Sequence, residues 1–197
     1  MRIYMKKSLL GLSMTAIAVL ASMGSAQATD GADITVNFTA NIRETTCDMK
    51  LSGGIGSDTQ QTLTLGGSKG EVRLNDVKSG NVSADFKLMI VECPSSLTSL
   101  KTTIKGQAAA DLATGFVNQI SKDSGGADYA AIEIARESTP DAPFTPNATA
   151  DAQRLVWTSE EINNKEVPLV ATLRETKANQ MTTGSFQTVA TFEFTYE

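Results

Sequence analysis

Apolar and polar residues alternate without a break in two stretches of this chain, one near each end. Ile34, Val36, Phe38, Ala40 and Ile42 share one parity, with Thr35, Asn37, Thr39, Asn41 and Arg43 between them. Ala190, Phe192, Phe194 and Tyr196 share one parity near the other end, opposite Val189, Thr191, Glu193 and Thr195. A period of two puts successive side chains on opposite faces of an extended backbone, whereas a helix would scatter the same apolar groups around its surface. Each stretch therefore predicts a β-strand with one face that must be covered. Chain ends fray unless something ties them down, so a closing strand with two Phe and a Tyr is expected to be buried. The N-terminal stretch has two readings at this level. It is an edge strand packed on its own sheet, or a strand offered to something else.

The sequence between the two stretches reads as all-β. Short runs rich in Val, Ile, Thr and Phe alternate with Gly, Ser, Asn and Asp clusters, the pattern of a sandwich of packed sheets. Strands are predicted over 62–65, 86–92, 100–105, 131–135, 166–173 and 185–196. Gly53-Gly54, Gly66-Gly67, Gly125-Gly126 and Asn163-Asn164 mark turns. Only 108–113 and 158–162 could pass for helix, and both are short. No repeat or linker interrupts the pattern, and 197 residues suffice for one domain.

Residues 1–28 read as a cleaved secretory signal. Arg2, Lys6 and Lys7 precede a short apolar run over 9–21, and Ala26-Gln27-Ala28 is a small-x-small cleavage site. The run falls short of the roughly 20 residues a membrane-spanning helix needs. Met5 makes an alternative start to Met1. In an exported chain two cysteines, Cys47 and Cys93, favour one disulfide; two free thiols or a two-ligand metal site are the alternatives.

Composition argues against several functions. The net charge of −5 offers no basic field for nucleic acid. There is no His, which removes the commonest general base and metal ligand. No Gly-x-Ser-x-Gly elbow and no paired carboxylates stand out as catalytic. Gly53-Gly54-Ile55-Gly56-Ser57 lacks the Lys and helix start of a phosphate loop and reads as a turn. Trp157 reads as core packing before a sugar contact. Asn37, Asn81 and Asn147 lie in Asn-x-Ser/Thr triplets, a pattern common by chance. The expectation is no catalytic residue, no cofactor, no metal and no small-molecule substrate.

Several features coincide in one pattern. A signal precedes an amphipathic N-terminal strand. Ala40 sits seven positions before Cys47, which opens the first strand of the domain, and Cys93 follows at a fitting interval. Gly184 is fourteenth from the end, counting Glu197 as first, and Tyr196 is the penultimate aromatic. In these features the chain resembles a subunit of chaperone–usher fimbriae, of the type 1 pilus rod family. The likeness spans the whole mature chain, and its specific part is the two ends. Ala40 departs from the family's usual Gly, and its methyl group needs room that Gly does not.

The resemblance implies an incomplete immunoglobulin-like β-sandwich that lacks its last strand. It divides the chain into signal (1–28), N-terminal extension or donor strand (29–46) and pilin domain (47–197). The donor face would be Ile34, Val36, Phe38, Ala40 and Ile42. The acceptor groove and chaperone-binding strand would carry Gly184, Ala190, Phe192, Phe194 and Tyr196. The implied partners are a periplasmic chaperone, an outer-membrane usher and other pilus subunits joined head to tail, in a fimbrium that supports cell adhesion at the cell surface. A minor adaptor or tip subunit, or an adhesin, is the alternative within the class. An adhesin carries a lectin domain first, and here the cysteine-bearing strand begins within 20 residues of the mature start. An exported enzyme is the alternative outside the class.

Overall fold

A computed structural model describes residues 46–66 and 70–196. The signal and the alternating segment 34–42 lie outside the described residues.

Among the described residues the backbone forms ten strands and two short α-helices, with one turn of 3-10 helix (Lys122–Ser124). In chain order they are β1 (Asp48–Ser52), β2 (Ile55–Gly56), β3 (Gln61–Thr62), α1 (Leu74–Lys78), β4 (Ser83–Glu92), β5 (Leu100–Gly106), β6 (Gly115–Val117), β7 (Ala130–Arg136), β8 (Leu155–Val156), α2 (Ser159–Asn164), β9 (Glu166–Glu175) and β10 (Ala190–Tyr196). One antiparallel sheet has five strands in the order β1-β4-β9-β7-β6, and a second has three in the order β10-β5-β8. β2 and β3 form a small ribbon of their own.

Period-two patterning explains the core. On β4 the buried residues are Phe86, Leu88 and Ile90, with Lys87, Met89 and Val91 on the other face. β9 adds Val167, Leu169, Ala171 and Leu173, and β7 adds Ile132 and Ile134. The three-stranded sheet faces them with Leu100, Thr102 and Ile104 of β5. Thr102 is fully buried and accepts a hydrogen bond from the Trp157 indole Nε1 at 2.9 Å. A buried hydroxyl and a buried indole N–H thus satisfy each other, which lets Trp157 serve the core.

Cys47 and Cys93 form the expected disulfide. They stand just outside the Asp48↔Glu92 pair, so the bond ties the start of β1 to the end of β4. It closes a loop over a sequence separation of 46, and the chain-entropy model gives such a closure about 4 kcal/mol.

Several predicted elements shift. The strand expected over 62–65 is only the two-residue β3, while Leu63 and Leu65 stay irregular. The 108–113 stretch is not helical: Ala108 bridges to Phe116, and the chain turns through Leu112 and Gly115 to lay β6 on β7. Alanine propensity over six positions cannot offset helix nucleation when pairing is on offer. The second helix does form, as α2. Thr158 and Glu161 make a capping box, with Glu161 N–H donating to Thr158 Oγ1 at 3.1 Å and Thr158 N–H to Glu161 Oε2 at 2.7 Å. Asn163-Asn164 finish that helix, and the turn falls on Lys165 at φ 58°.

Candidate functional site

The two sheets are unequal, and the site follows from that. Strands lie about 4.8 Å apart, so five cover more width than three. The inner face of the larger sheet is left partly uncovered beside β10. A groove of about 1140 Å³ opens there. Its floor is the core itself, including Phe86, Phe116, Ile132, Ile134, Ala171 and Leu173. One wall comes from Leu51, Gly54, β3, Leu63 and Leu65; the other runs from Met181 to Phe192.

β10 borders the groove. It pairs with β5 in register, Ala190↔Gly106 through Phe192↔Ile104 to Tyr196↔Leu100. No strand among the described residues pairs with its other edge. Its inward residues Ala190, Phe192, Phe194 and Tyr196 are all only half-buried. An edge of unpaired N–H and C=O groups beside apolar surface is a template for another strand.

The sequence-predicted residues are distributed as follows. Ala190 and Phe192 line the groove, and the Phe192 ring lies 5.8 Å from that of Phe86 on the opposite sheet. Phe194 and Tyr196 continue the same face beyond the groove's lining, with ring centroids 6.5 Å apart. Tyr196 donates its hydroxyl to the Cys47 carbonyl at 3.3 Å, which draws the end of β10 against the start of β1. Burial pushes the Tyr196 phenol up from its ordinary value, against the pull of that hydrogen bond, and Asp48 adds to the rise. Gly184 lines the groove but precedes β10; a side chain there would run into the Gly126–Ala127 backbone, a close approach that only glycine permits. The expected strand over 185–196 is ladder-paired only from Ala190. The donor-face residues Ile34, Val36, Phe38, Ala40 and Ile42 lie outside the described residues.

Sequence reasoning missed the far wall. Leu51, Leu63, Leu65 and Val72 lie in short or irregular segments with no long period to reveal them. Leu51 had a signal in its place after Cys47 in the first strand, and Leu63 and Leu65 in the strand predicted over 62–65.

A second depression, of about 630 Å³, lies at α2. Arg136 grips both carboxylate oxygens of Glu161, at 2.7 and 3.1 Å, and donates to the Val156 carbonyl at 2.6 Å. Burial works to raise the Glu161 pKa, but hydrogen bonds from Arg136 and the Thr158 N–H outweigh it and hold the carboxyl below its ordinary value. The arrangement fastens α2 to β7. Among the described residues no group of three His, Cys, Asp or Glu could hold a metal ion.

Comparison with known proteins agrees with this geometry. Residues 36–197 match the family described as fimbrial protein. The chain is 31% identical over 168 residues to YadM, an uncharacterized fimbrial-like protein of Escherichia coli (strain K12), covering 84% of this chain and 87% of that protein. Its fold is similar to the crystal structure of the P pilus rod subunit PapA, with a TM-score of 0.52 at 17% identity, covering 82% of this chain and 99% of the other. The all-β sandwich is the immunoglobulin-like pilin fold, and the chain belongs to the fimbrial protein family.

Proposed function

We propose that this chain is a structural pilus subunit that polymerises by lending residues 34–42 to a neighbouring subunit. The observation that carries this reading is the edge of β10 left unpaired among the described residues, beside a groove floored by the core. Ile34, Val36, Phe38 and Ile42 supply large plugs, and Ala40 a small one. Burying the four large side chains contributes about 1.5–3 kcal/mol each, roughly 6–12 kcal/mol gross. Main-chain hydrogen bonds add affinity in the manner of β-augmentation. A slip of one residue would put Asn37 and Thr39 into apolar space, so register is strongly set. Each subunit gives a strand one way and receives one from the other. Such a head-to-tail contact does not close on itself and builds a fibre.

Export fits the same reading. The signal at 1–28 delivers the chain to the periplasm, where a chaperone covers the free edge until the chain reaches the usher at the outer membrane. The pilus then displays it outside the cell, in support of adhesion. The work of the subunit is mechanical, not catalytic, and the joint operates alike in a rod subunit or an adaptor. A variant lacking residues 33–42 tests this. It is expected to bind the chaperone yet fail to be followed in a growing fibre, and ordinary pili from that variant would sink the proposal.

A further inference from the structure

This inference rests on the strand-lending reading and concerns the opposite side of the three-stranded sheet. β10 pairs with every residue of β5, Leu100–Gly106, whereas β8 pairs only with Lys101 and Thr102. From Thr103 to Gly106, no strand among the described residues lies against the edge of β5 that faces away from β10. A strand edge of this kind is a template for strand addition in its own right. A strand lent by a second copy would therefore meet two candidate edges on one small sheet.

Asn147 occupies the second of them. Its N–H donates to the Ile104 carbonyl at 2.8 Å. Its side-chain Oδ1 accepts from the Gly106 N–H at 3.2 Å, and its Nδ2 donates to the Gly106 carbonyl at 2.8 Å. Alternate residues of a strand present their N–H and C=O groups to the same edge, so Ile104 and Gly106 are successive rungs of one ladder. A single residue thus meets both rungs, where an added strand would otherwise pair. It does so at φ 64°, in the left-handed region that Asn tolerates better than most side chains. The segment that carries it is anchored just upstream. Phe144 is buried and donates its N–H to the Ile134 carbonyl at 2.8 Å, and Thr145 N–H donates to the Gln153 carbonyl at 2.9 Å.

A side-chain amide offers the same donor and acceptor as a peptide group, yet no chain continues from it. The ladder therefore ends at Asn147 instead of passing to another strand. We propose that Asn147 closes the second edge of β5 to strand addition, so that a strand lent by a second copy is directed to β10 alone. Asn147 is then a specificity residue of the joint. It touches no lent strand and acts by removing the competing edge. The consequence is geometric: a subunit that gives one strand and accepts two joins three neighbours instead of two, and a head-to-tail fibre branches there.

Asn147→Gly keeps the left-handed backbone and the N–H that bonds Ile104 but removes the amide. Hydrogen exchange on the intact chain and on this variant, with and without a synthetic peptide of residues 33–43, reads both edges. Without peptide, the Gly106 amide is expected to exchange about tenfold or more faster in the variant, with the amides of β9 unchanged. Saturating peptide is expected to slow amides along β10 in both chains, and to slow the Gly106 amide again in the variant alone. Faster exchange across β9 as well would make Asn147 a general stabiliser and overturns the proposal. So does a Gly106 amide as slow in the variant as in the native chain, or one that saturating peptide leaves fast. Each of these leaves strand lending standing. No slowing along β10 in either chain overturns strand lending itself.

Discussion

β9 and β10 carry similar sequence and meet different fates. Both place four apolar side chains inward, Val167, Leu169, Ala171 and Leu173 on β9 and Ala190, Phe192, Phe194 and Tyr196 on β10. β9 lies between β4 and β7, and Val167 and Leu169 on it are fully buried. Among the described residues β10 has β5 on one side only, and its aromatic face stays half-buried although it carries larger side chains. Alternation decides which face of a strand turns inward; the number of neighbours decides whether that face is dry. The aromatic face of β10 has no second neighbouring strand in its own sheet among the described residues.

The comparison can be broken by truncating each strand in turn. Leu169→Ala is expected to cost about 2–5 kcal/mol whether or not a donor peptide is bound, because its cavity lies in the closed core. Phe192→Ala should cost less in the free chain, about 2 kcal/mol for a half-buried ring, and clearly more once the peptide seals the groove. Urea midpoints with and without peptide separate the two. A Phe192→Ala cost that does not grow with peptide would erase the distinction.

Next in size are two hydrogen bonds of the same kind. Thr102→Val leaves the Trp157 N–H unpaired in the dry core and is expected to cost about 1–3 kcal/mol. Tyr196→Phe removes the bond to Cys47 at the half-buried end of β10 and is expected to cost only about 0.5–1.5 kcal/mol. Thermal melts rank them, and a larger cost for Tyr196→Phe would put the dry core at the wrong end of β10.

The smallest effect lies away from both strands' inner faces. Glu161 is held below its ordinary pKa of 4.5 in the folded chain, so its contribution is complete above that value and fades as pH falls through the lower folded one. Arg136→Met removes the partner. The stability gap between the native chain and this variant should therefore shrink as pH falls below about 4.5, while peptide binding stays unchanged. Denaturation across pH checks both points.

The sequence announced what has a period. β4, β5, β7, β9 and β10 were legible because each runs for seven residues or more with alternating burial or continuous apolar character. Thr158 with Glu161 carried the cap of α2, and the cysteine pair carried the tie between β1 and β4. β2, β6 and β8 span two or three residues each, too few to show any period. The groove was legible only on its β10 side. Its other wall, through Leu51, Leu63 and Leu65, is assembled from segments far from β10 in sequence. Nor does any local pattern reveal that Thr188 Oγ1 is buried with no hydrogen-bond partner among the described residues, since that depends on what surrounds it in space.

The central claim is that the free edge of β10 takes the alternating segment 34–42. The direct test adds a peptide of residues 33–43 to the chain lacking residues 33–42 and measures resistance to denaturant. Binding to the folded state alone stabilises by about 2.7 kcal/mol at a hundredfold excess over the dissociation constant. The account predicts such a rise for the native peptide and none for a peptide of the same composition with its alternation scrambled. Equal stabilisation by both, or by neither, would contradict it.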